Sequence, residues 1–299
     1  QAAKLSGVDA VKFQTFDTSE FLSTKSNYYE IFKKHELSQS ALLEIVEFAK
    51  SQQLRVFSAC FDPKSASFWN DAGAPIFKIA SGDLTHLPLL EQIASYGKPI
   101  LLSTGASSFS DIRETVDFLK EINFQSDLVL LHCVSKYPTA TDEVNVSRML
   151  MLASEFDVKV GFSDHTEGLG ASVAAVTLGA VVIEKHFTLD KSMTGPDHAL
   201  SATPEEMTLL VRLCREAADA MILCDKEVPE GFETQQAIRR SLVARRNIAR
   251  GEVFAEDMIS IKRPGGGLAP IKIKTMIGKV AARDIEADSL LEFCDVESG

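Results

Sequence analysis

Short apolar runs rich in β-branched residues recur along the chain at 9–14, 54–59, 75–80, 99–104, 128–133, 158–163 and 180–186. They lack the polar alternation of a half-solvated strand, so each reads as a strand buried on both faces. Helical patterns at 38–52, 64–71, 87–95, 110–122, 143–155, 168–178 and 204–223 stand between and after them. Strict strand–helix alternation predicts an α/β protein with a parallel sheet and helices outside it. Ser38 or Ser40 is placed to cap the first long helix, and Ser110, with Glu114 nearby, to cap a later one.

The opening Ala2-Ala3-Lys4-Leu5-Ser6-Gly7 reads as the tail of a helix ending on a left-handed glycine. A strand feeding that helix would bring the seven runs to eight, the count that closes a TIM (β/α)8 barrel. The expectation is such a barrel with its first strand missing from this chain; an open, doubly wound sheet is the alternative. After Leu223 the texture changes to a polar connection with Pro229 and Gly231, then to short runs broken at Gly251 and Gly265-Gly266-Gly267. The expected division is a barrel over 1–224, a linker over 225–239 and a small, mostly β domain over 240–299. Within the last, 246–252 is loosely echoed by 283–289, which suggests two related halves.

A chain of 299 residues with 45% hydrophobic content can bury a large core. Its net charge of −11 argues against a nucleic-acid partner, and no apolar run is long enough to cross a bilayer. Five scattered cysteines without a C-x-x-C pair point to a reducing, cytoplasmic compartment. Cys60 and Cys133 end strand-like runs, where a small buried hydrophobe is the commoner role and a reactive thiol the rarer one.

The chemistry gathers at the strand ends. In Gly161-Phe162-Ser163-Asp164-His165 and Val182-Ile183-Glu184-Lys185-His186, alternation puts Ser163 with His165, and Glu184 with His186, on one face. In a barrel these side chains meet at the C-terminal mouth, where two imidazoles suit a divalent metal; a core role is the ordinary fate of a histidine. Lys12, with Gln14 on the same face, and Lys78 lie inside buried strands, so each needs an anion or a pairing acid. Ser81, Ser103 and Ser163 add hydroxyls at the same rim. Lysines and hydroxyls together make a pocket for a multiply charged anion. Glu184 there is either a base or the partner of a barrel cation, Lys185 being excluded by alternation.

These stretches, with Asp9-Ala10-Val11-Lys12-Phe13-Gln14-Thr15, Phe77-Lys78-Ile79-Ala80-Ser81-Gly82-Asp83, Leu102-Ser103-Thr104-Gly105 and Gly195-Pro196-Asp197-His198, resemble the N-acetylneuraminate (sialic acid) synthase family. That family includes legionaminic acid, pseudaminic acid and spore-coat polysaccharide synthases. Arg239-Arg240-Ser241-Leu242 and Lys262-Arg263-Pro264-Gly265 resemble its C-terminal antifreeze-like SAF domain.

The resemblance implies a transferase that condenses phosphoenolpyruvate with the aldehyde of an N-acylated amino sugar, giving a nine-carbon 2-keto acid and phosphate. It assigns His165 and His186 to a divalent metal, Mn2+ first with Mg2+ or Co2+ as alternatives, and Glu184 to proton transfer. It assigns Lys12, Lys78, Ser81, Ser103 and Ser163 to phosphoenolpyruvate, and Gln14, Tyr137, Asp197 and Arg263 to the sugar. Arg263 would reach the neighbouring subunit's site, making a domain-swapped homodimer. Two departures stand out: the family's opening Ala-Glu-x-Gly-x-Asn-His strand has no counterpart, and Ser135 stands where sialic acid synthases usually have asparagine. The second departure, with Gly195-Pro196-Asp197-His198-Ala199, points toward the legionaminic or spore-coat branches. A non-catalytic sugar-acid-binding protein and a shorter 3-deoxy-keto acid synthase are the competing functions.

Overall fold

All seven apolar runs form strands, in a computed structural model that describes residues 1–225 and 227–297. They are β1 (Ala10–Thr15), β2 (Arg55–Cys60), β3 (Phe77–Ile79), β4 (Ile100–Ser103), β5 (Leu128–His132), β6 (Lys159–Asp164) and β7 (Ile183–Lys185). Each pairs in parallel with the next, in the order β1 to β7. The helices are α1 (Ala2–Leu5), α2 (Thr18–Phe21), α3 (Tyr29–His35), α4 (Gln39–Ser51), α5 (Pro63–Asp71), α6 (Leu87–Ser95), α7 (Phe109–Glu121), α8 (Arg148–Phe156), α9 (Gly170–Thr177) and α10 (Pro204–Ala220). A flat sheet of seven strands would hold its first and last about 29 Å apart at the usual spacing. Instead Lys12 Nζ on β1 lies 3.8 Å from Glu184 Oε2 on β7. The sheet is therefore curled, as in a TIM-like barrel, and β1 and β7 are its facing edges.

Outside the strands the ring comes round as well. Ser6 Oγ donates to Pro204 O at 3.1 Å, and Arg215 donates to Asp9 Oδ1 at 3.0 Å, tying α10 to the chain segment that opens β1. Between strands and helices lies one continuous apolar core with Trp69, Phe77, Ile79, Leu102 and Phe162 at its centre. Trp69 Nε1 donates to Thr15 Oγ1 at 2.8 Å, so the polar edge of the indole is satisfied inside the core.

Two local expectations are corrected. The cap of α7 is Ser108, not Ser110: Ser108 Oγ accepts from Asp111 N while Asp111 Oδ2 accepts from Ser108 N, a reciprocal capping box. The helix expected over 143–155 begins only at Arg148, because Asn145 takes a left-handed φ of 43° and His132 Nε2 donates to Val144 O at 2.8 Å. Helices α2 and α3 were not expected at all. Their Phe21 and Phe32 pack with Phe16 and Phe61, the latter two beyond the ends of β1 and β2.

The chain divides into two units, Gln1–Ile222 and Leu223–Gly299. The second contains α11 (Phe232–Ile238), within the span read as a linker, the antiparallel pair β8 (Ser241–Ala244) and β9 (Ile259–Lys262), and the short α12 (Ile273–Met276). Its core holds Leu242, Phe254, Ile259, Met276 and Leu291. The sequence echo has a structural counterpart. Ile248 and Ile285 exchange backbone hydrogen bonds at 2.9 and 2.8 Å. On either side, Asn247 Oδ1 accepts from Ala287 N and Asp284 Oδ1 from Arg250 N, both at 2.7 Å. Equivalent residues of the two segments thus make equivalent bonds, as halves related by a local dyad would.

Candidate active site

Parallel register decides which side chains share the barrel interior. Ser163 stands opposite Glu184, so one step further along the same face come His165 and His186. Lys78 pairs with Leu101, which puts Ser103 on its face, and Lys78 Nζ donates to Ser103 Oγ at 2.6 Å and to Ile79 O at 2.7 Å. Lys78 is fully enclosed, and burial holds its amine below the ordinary lysine range, with Glu184 acting in the opposite sense.

Glu184 is fixed from two sides. Ser163 Oγ donates to its Oε1 at 2.8 Å, and Lys12 lies at 3.8 Å from Oε2. Burial by itself would raise this carboxyl, yet Lys12, Lys78 and the Ser163 hydroxyl outweigh it and hold the group down at about 2. Glu184 is therefore an anion at neutral pH, and a barrel cation, Lys12, is its partner. Lys185 lies on the other face, against Asp164.

His165 Nδ1 faces Val134 O at 2.7 Å; a carbonyl only accepts, so Nδ1 carries the proton and Nε2 keeps its lone pair, with Ser163 Oγ 3.5 Å away. Burial lowers the pKa of both His165 and His186, leaving neutral imidazoles whose centroids are 5.6 Å apart. The Tyr137 ring lies 4.2 Å from His165, tilted by 35°, and meets His186 edge-on at 5.8 Å, and Asp197 Oδ2 lies 3.8 Å from His186 Nδ1. Tyr137 is half exposed; partial desolvation and the nearby Cys133, Asp197 and Glu184 push its phenol upward, so it stays protonated. Among the described residues no cluster of three or more His, Cys, Asp or Glu could by itself hold a metal. Two neutral imidazoles can serve as ligands to a first-row divalent ion, which would need further ligands from outside this pair.

A hydroxyl shelf lies alongside. Ser81 Oγ accepts from Gly105 N at 3.1 Å and lies 3.2 Å from Cys133 Sγ. A Cβ on Gly105 would stand 2.5 Å from Ser135 Oγ and 2.8 Å from both Ser81 Oγ and Cys133 Sγ, so only glycine leaves the shelf its present shape. Gly105, Cys133 and Ser135 were not among the expected site residues. In the sequence Gly105 stands in one of the stretches that carry the resemblance, Cys133 reads only as a thiol at a strand end, and Ser135 only as a departure from the sialic acid synthases; all three lie just past the ends of β4 and β5.

Lys12, Lys78, Ser103, Ser163, Glu184, His165, His186, Tyr137 and Asp197 are thus linked in one array, with Ser81 on the adjoining shelf. Gln14 is exposed on β1 two residues beyond Lys12, and Arg263 is exposed in the second unit.

The NeuB family model matches residues 1–225, and the SAF domain model residues 239–297. The chain belongs to the NeuB family. It is 45% identical over 296 residues, 98% of its length and 87% of the relative's, to an uncharacterized protein, MJ1065, of Methanocaldococcus jannaschii. To the N,N'-diacetyllegionaminic acid synthase of Campylobacter jejuni it is 38% identical, covering 96% of this chain and 90% of that protein. The crystal structure of the N-acetylneuraminic acid synthetase of Leptospira borgpetersenii, in complex with citrate, superposes with a TM-score of 0.72. That pair is 31% identical over 78% of this chain and 80% of the other. The chain is accordingly an N-acetylneuraminate synthase-like transferase, a TIM-like barrel followed by a SAF domain. Among the described residues no helix is long and apolar enough to cross a membrane.

Proposed function

We propose that this NeuB-family chain joins phosphoenolpyruvate to the open-chain aldehyde of an N-acylated amino sugar, giving a nine-carbon 2-keto acid and releasing phosphate. The observation that carries the reading is the array around Glu184: two inward lysines, Lys12 and Lys78, facing a carboxylate held at about 2 beside two neutral imidazoles. An enclosed Lys78 and a half-buried Lys12 in a hydroxyl-lined pocket are matched to a trianionic substrate, whose arrival compensates the cost of keeping Lys78 out of water.

Lys12, Lys78, Ser81, Ser103 and Ser163 hold the phosphate and carboxylate, with the Gly105 surface leaving them room. Gln14, Tyr137 and Asp197 face the sugar, and the Tyr137 ring closes over His165. A divalent ion on His165 and His186, Mn2+ first, supplies a Lewis acid for the aldehyde oxygen when bound. C3 of the enol attacks the aldehyde carbon, water adds at C2, and phosphate leaves with C–O cleavage. Glu184 begins this sequence ionised, so it takes a proton before it can give one. Arg263 completes the neighbouring subunit's site in a homodimer. Ser135 and the Gly195-Pro196-Asp197-His198-Ala199 segment favour a diacetamido sugar of the legionaminic type.

The test is phosphate release by the full chain with phosphoenolpyruvate, Mn2+ and a panel of N-acetylmannosamine, its 6-phosphate and 2,4-diacetamido-6-deoxyhexoses. Release dependent on one sugar is expected, falling at least a hundredfold in His186→Ala along with Mn2+ binding. No release with any sugar, from protein shown to bind phosphoenolpyruvate and Mn2+, sinks the condensation reading.

A further inference from the structure

The faces of β6 and β7 that turn away from the site carry a second polar set. Asp164 and Lys185 are register partners across the two strands, each one residue before a site histidine. Lys185 Nζ lies 3.0 Å from Asp164 Oδ2 with both side chains enclosed, and it donates to Thr166 O at 2.6 Å. The carboxylate is fully engaged: Oδ1 accepts from Thr166 N and Oγ1, both at 2.8 Å, and Oδ2 from Ser172 Oγ on α9 at 2.6 Å. One ion pair therefore ties together the end of β6, the turn behind His165, a helix and the end of β7.

Apolar residues of the same volume serve folding as well as a buried ion pair does, so stability alone does not account for the pair. What a bonded charge pair adds is geometry, and the geometry it controls lies one residue away on the opposite face. His165 and His186 come from different strands, and β7 is an edge strand of only three residues, Ile183–Lys185. A small slip of β7 along β6 would change the imidazole separation directly. The Asp164–Lys185 pair is placed to resist that slip from the outer face, as the Ser163–Glu184 hydrogen bond is from the site face.

We propose that Asp164 and Lys185 are positioning residues that fix the spacing and facing of His165 and His186, and so set the affinity of the site for a divalent metal. The inference rests on the metal reading of the two histidines given above. In the full-length protein, Mn2+ binding is followed by calorimetry and by the paramagnetic signal of free Mn2+. The variants are Asp164→Leu/Lys185→Met, which removes both charges, Lys185→Arg, which keeps both, and Leu119→Ala, which destabilises a distant part of the core on α7.

A Kd for Mn2+ raised at least tenfold in the double variant is expected, within threefold of the parent in Lys185→Arg and within twofold in Leu119→Ala. The Mn2+ concentration for half-maximal turnover moves with Kd, while KM for phosphoenolpyruvate does not. If the double variant fails to fold, Asp164→Glu, which keeps the charge on a longer arm, is expected to show the same rise. Parent-like affinity in the double variant, or in Asp164→Glu where that replaces it, with His186→Ala still abolishing binding, overturns this inference and leaves the metal reading intact. A parent that binds no Mn2+, indistinguishable from His186→Ala, overturns both.

Discussion

Asp83, two residues beyond Ser81, is a buried carboxyl whose Oδ2 has no hydrogen-bond partner among the described residues. Burial pushes it up from 3.8 to about 6, with His86 and Lys78 offsetting part of the effect. The folded state thus binds this proton more tightly than the unfolded state. The contribution to stability is full below about pH 3.8 and is lost as pH rises through about 6. A shift of this size corresponds to about 2 to 3 kcal/mol. Asp83→Asn should therefore raise the free energy of unfolding by about 1 to 2 kcal/mol at pH 7.5 and by much less at pH 4. Urea denaturation at the two pH values checks it, and an equal effect at both would refute the assignment. Glu184 has the opposite sign: its contribution is present above its ordinary 4.5 and is lost as pH falls toward about 2. The sequence could show that Lys12, Lys78 and Glu184 sit on buried strands. It could not show that Glu184 would choose Lys12, because that choice depends on the curl that brings β1 to β7.

At the scale of elements, the alternation of strands with helices made most of the barrel readable, since strands covered on both faces must be continuously apolar and their rare polar residues then stand out, on either face. The errors fell where a fold-level contact overrides a local pattern. Residues 143–147 look helical but are pinned as turns by His132, and the short α2 and α3 owe their packing to phenylalanines beyond two different strands. Asp164 and Lys185 were legible as polar breaks in apolar runs, yet only the register shows them to be each other's partners. Gly161 gives this scale its prediction. A Cβ there would lie 2.6 Å from Leu131 Cδ2 and 2.7 Å from Val182 O, and the second is backbone of the neighbouring strand segment and has little room to retreat. Gly161→Ala should cost about 2 kcal/mol or more in chemical denaturation by forcing β6 from its neighbours. A cost within about 0.5 kcal/mol would mean the strands have slack that this packing denies.

For the whole molecule, the question is what a second unit contributes to an array of site residues drawn entirely from the first. The SAF unit has its own core around Leu242, Phe254 and Leu291 and a dyad-like exchange through Ile248 and Ile285, so its folding needs no residue of the barrel site. The echo that signals this dyad was faint in sequence because only a few positions per half, Asn247 and Asp284 among them, make the repeated bonds. Arg263 lies outside that repeat and is exposed, which suits a residue whose partner is elsewhere. If it serves a neighbouring subunit's site, catalysis belongs to the dimer, and two defective chains can repair each other. A heterodimer of His186→Ala and Arg263→Ala then holds one site with both residues intact and one with neither. Co-expression with random assortment should restore about a quarter of parental phosphate release, whereas each variant alone stays near background. If Arg263 acted within its own chain, neither site of that heterodimer would be whole and no activity would return. A monomeric mass in solution for the active parent would refute the arrangement before any mixing was done.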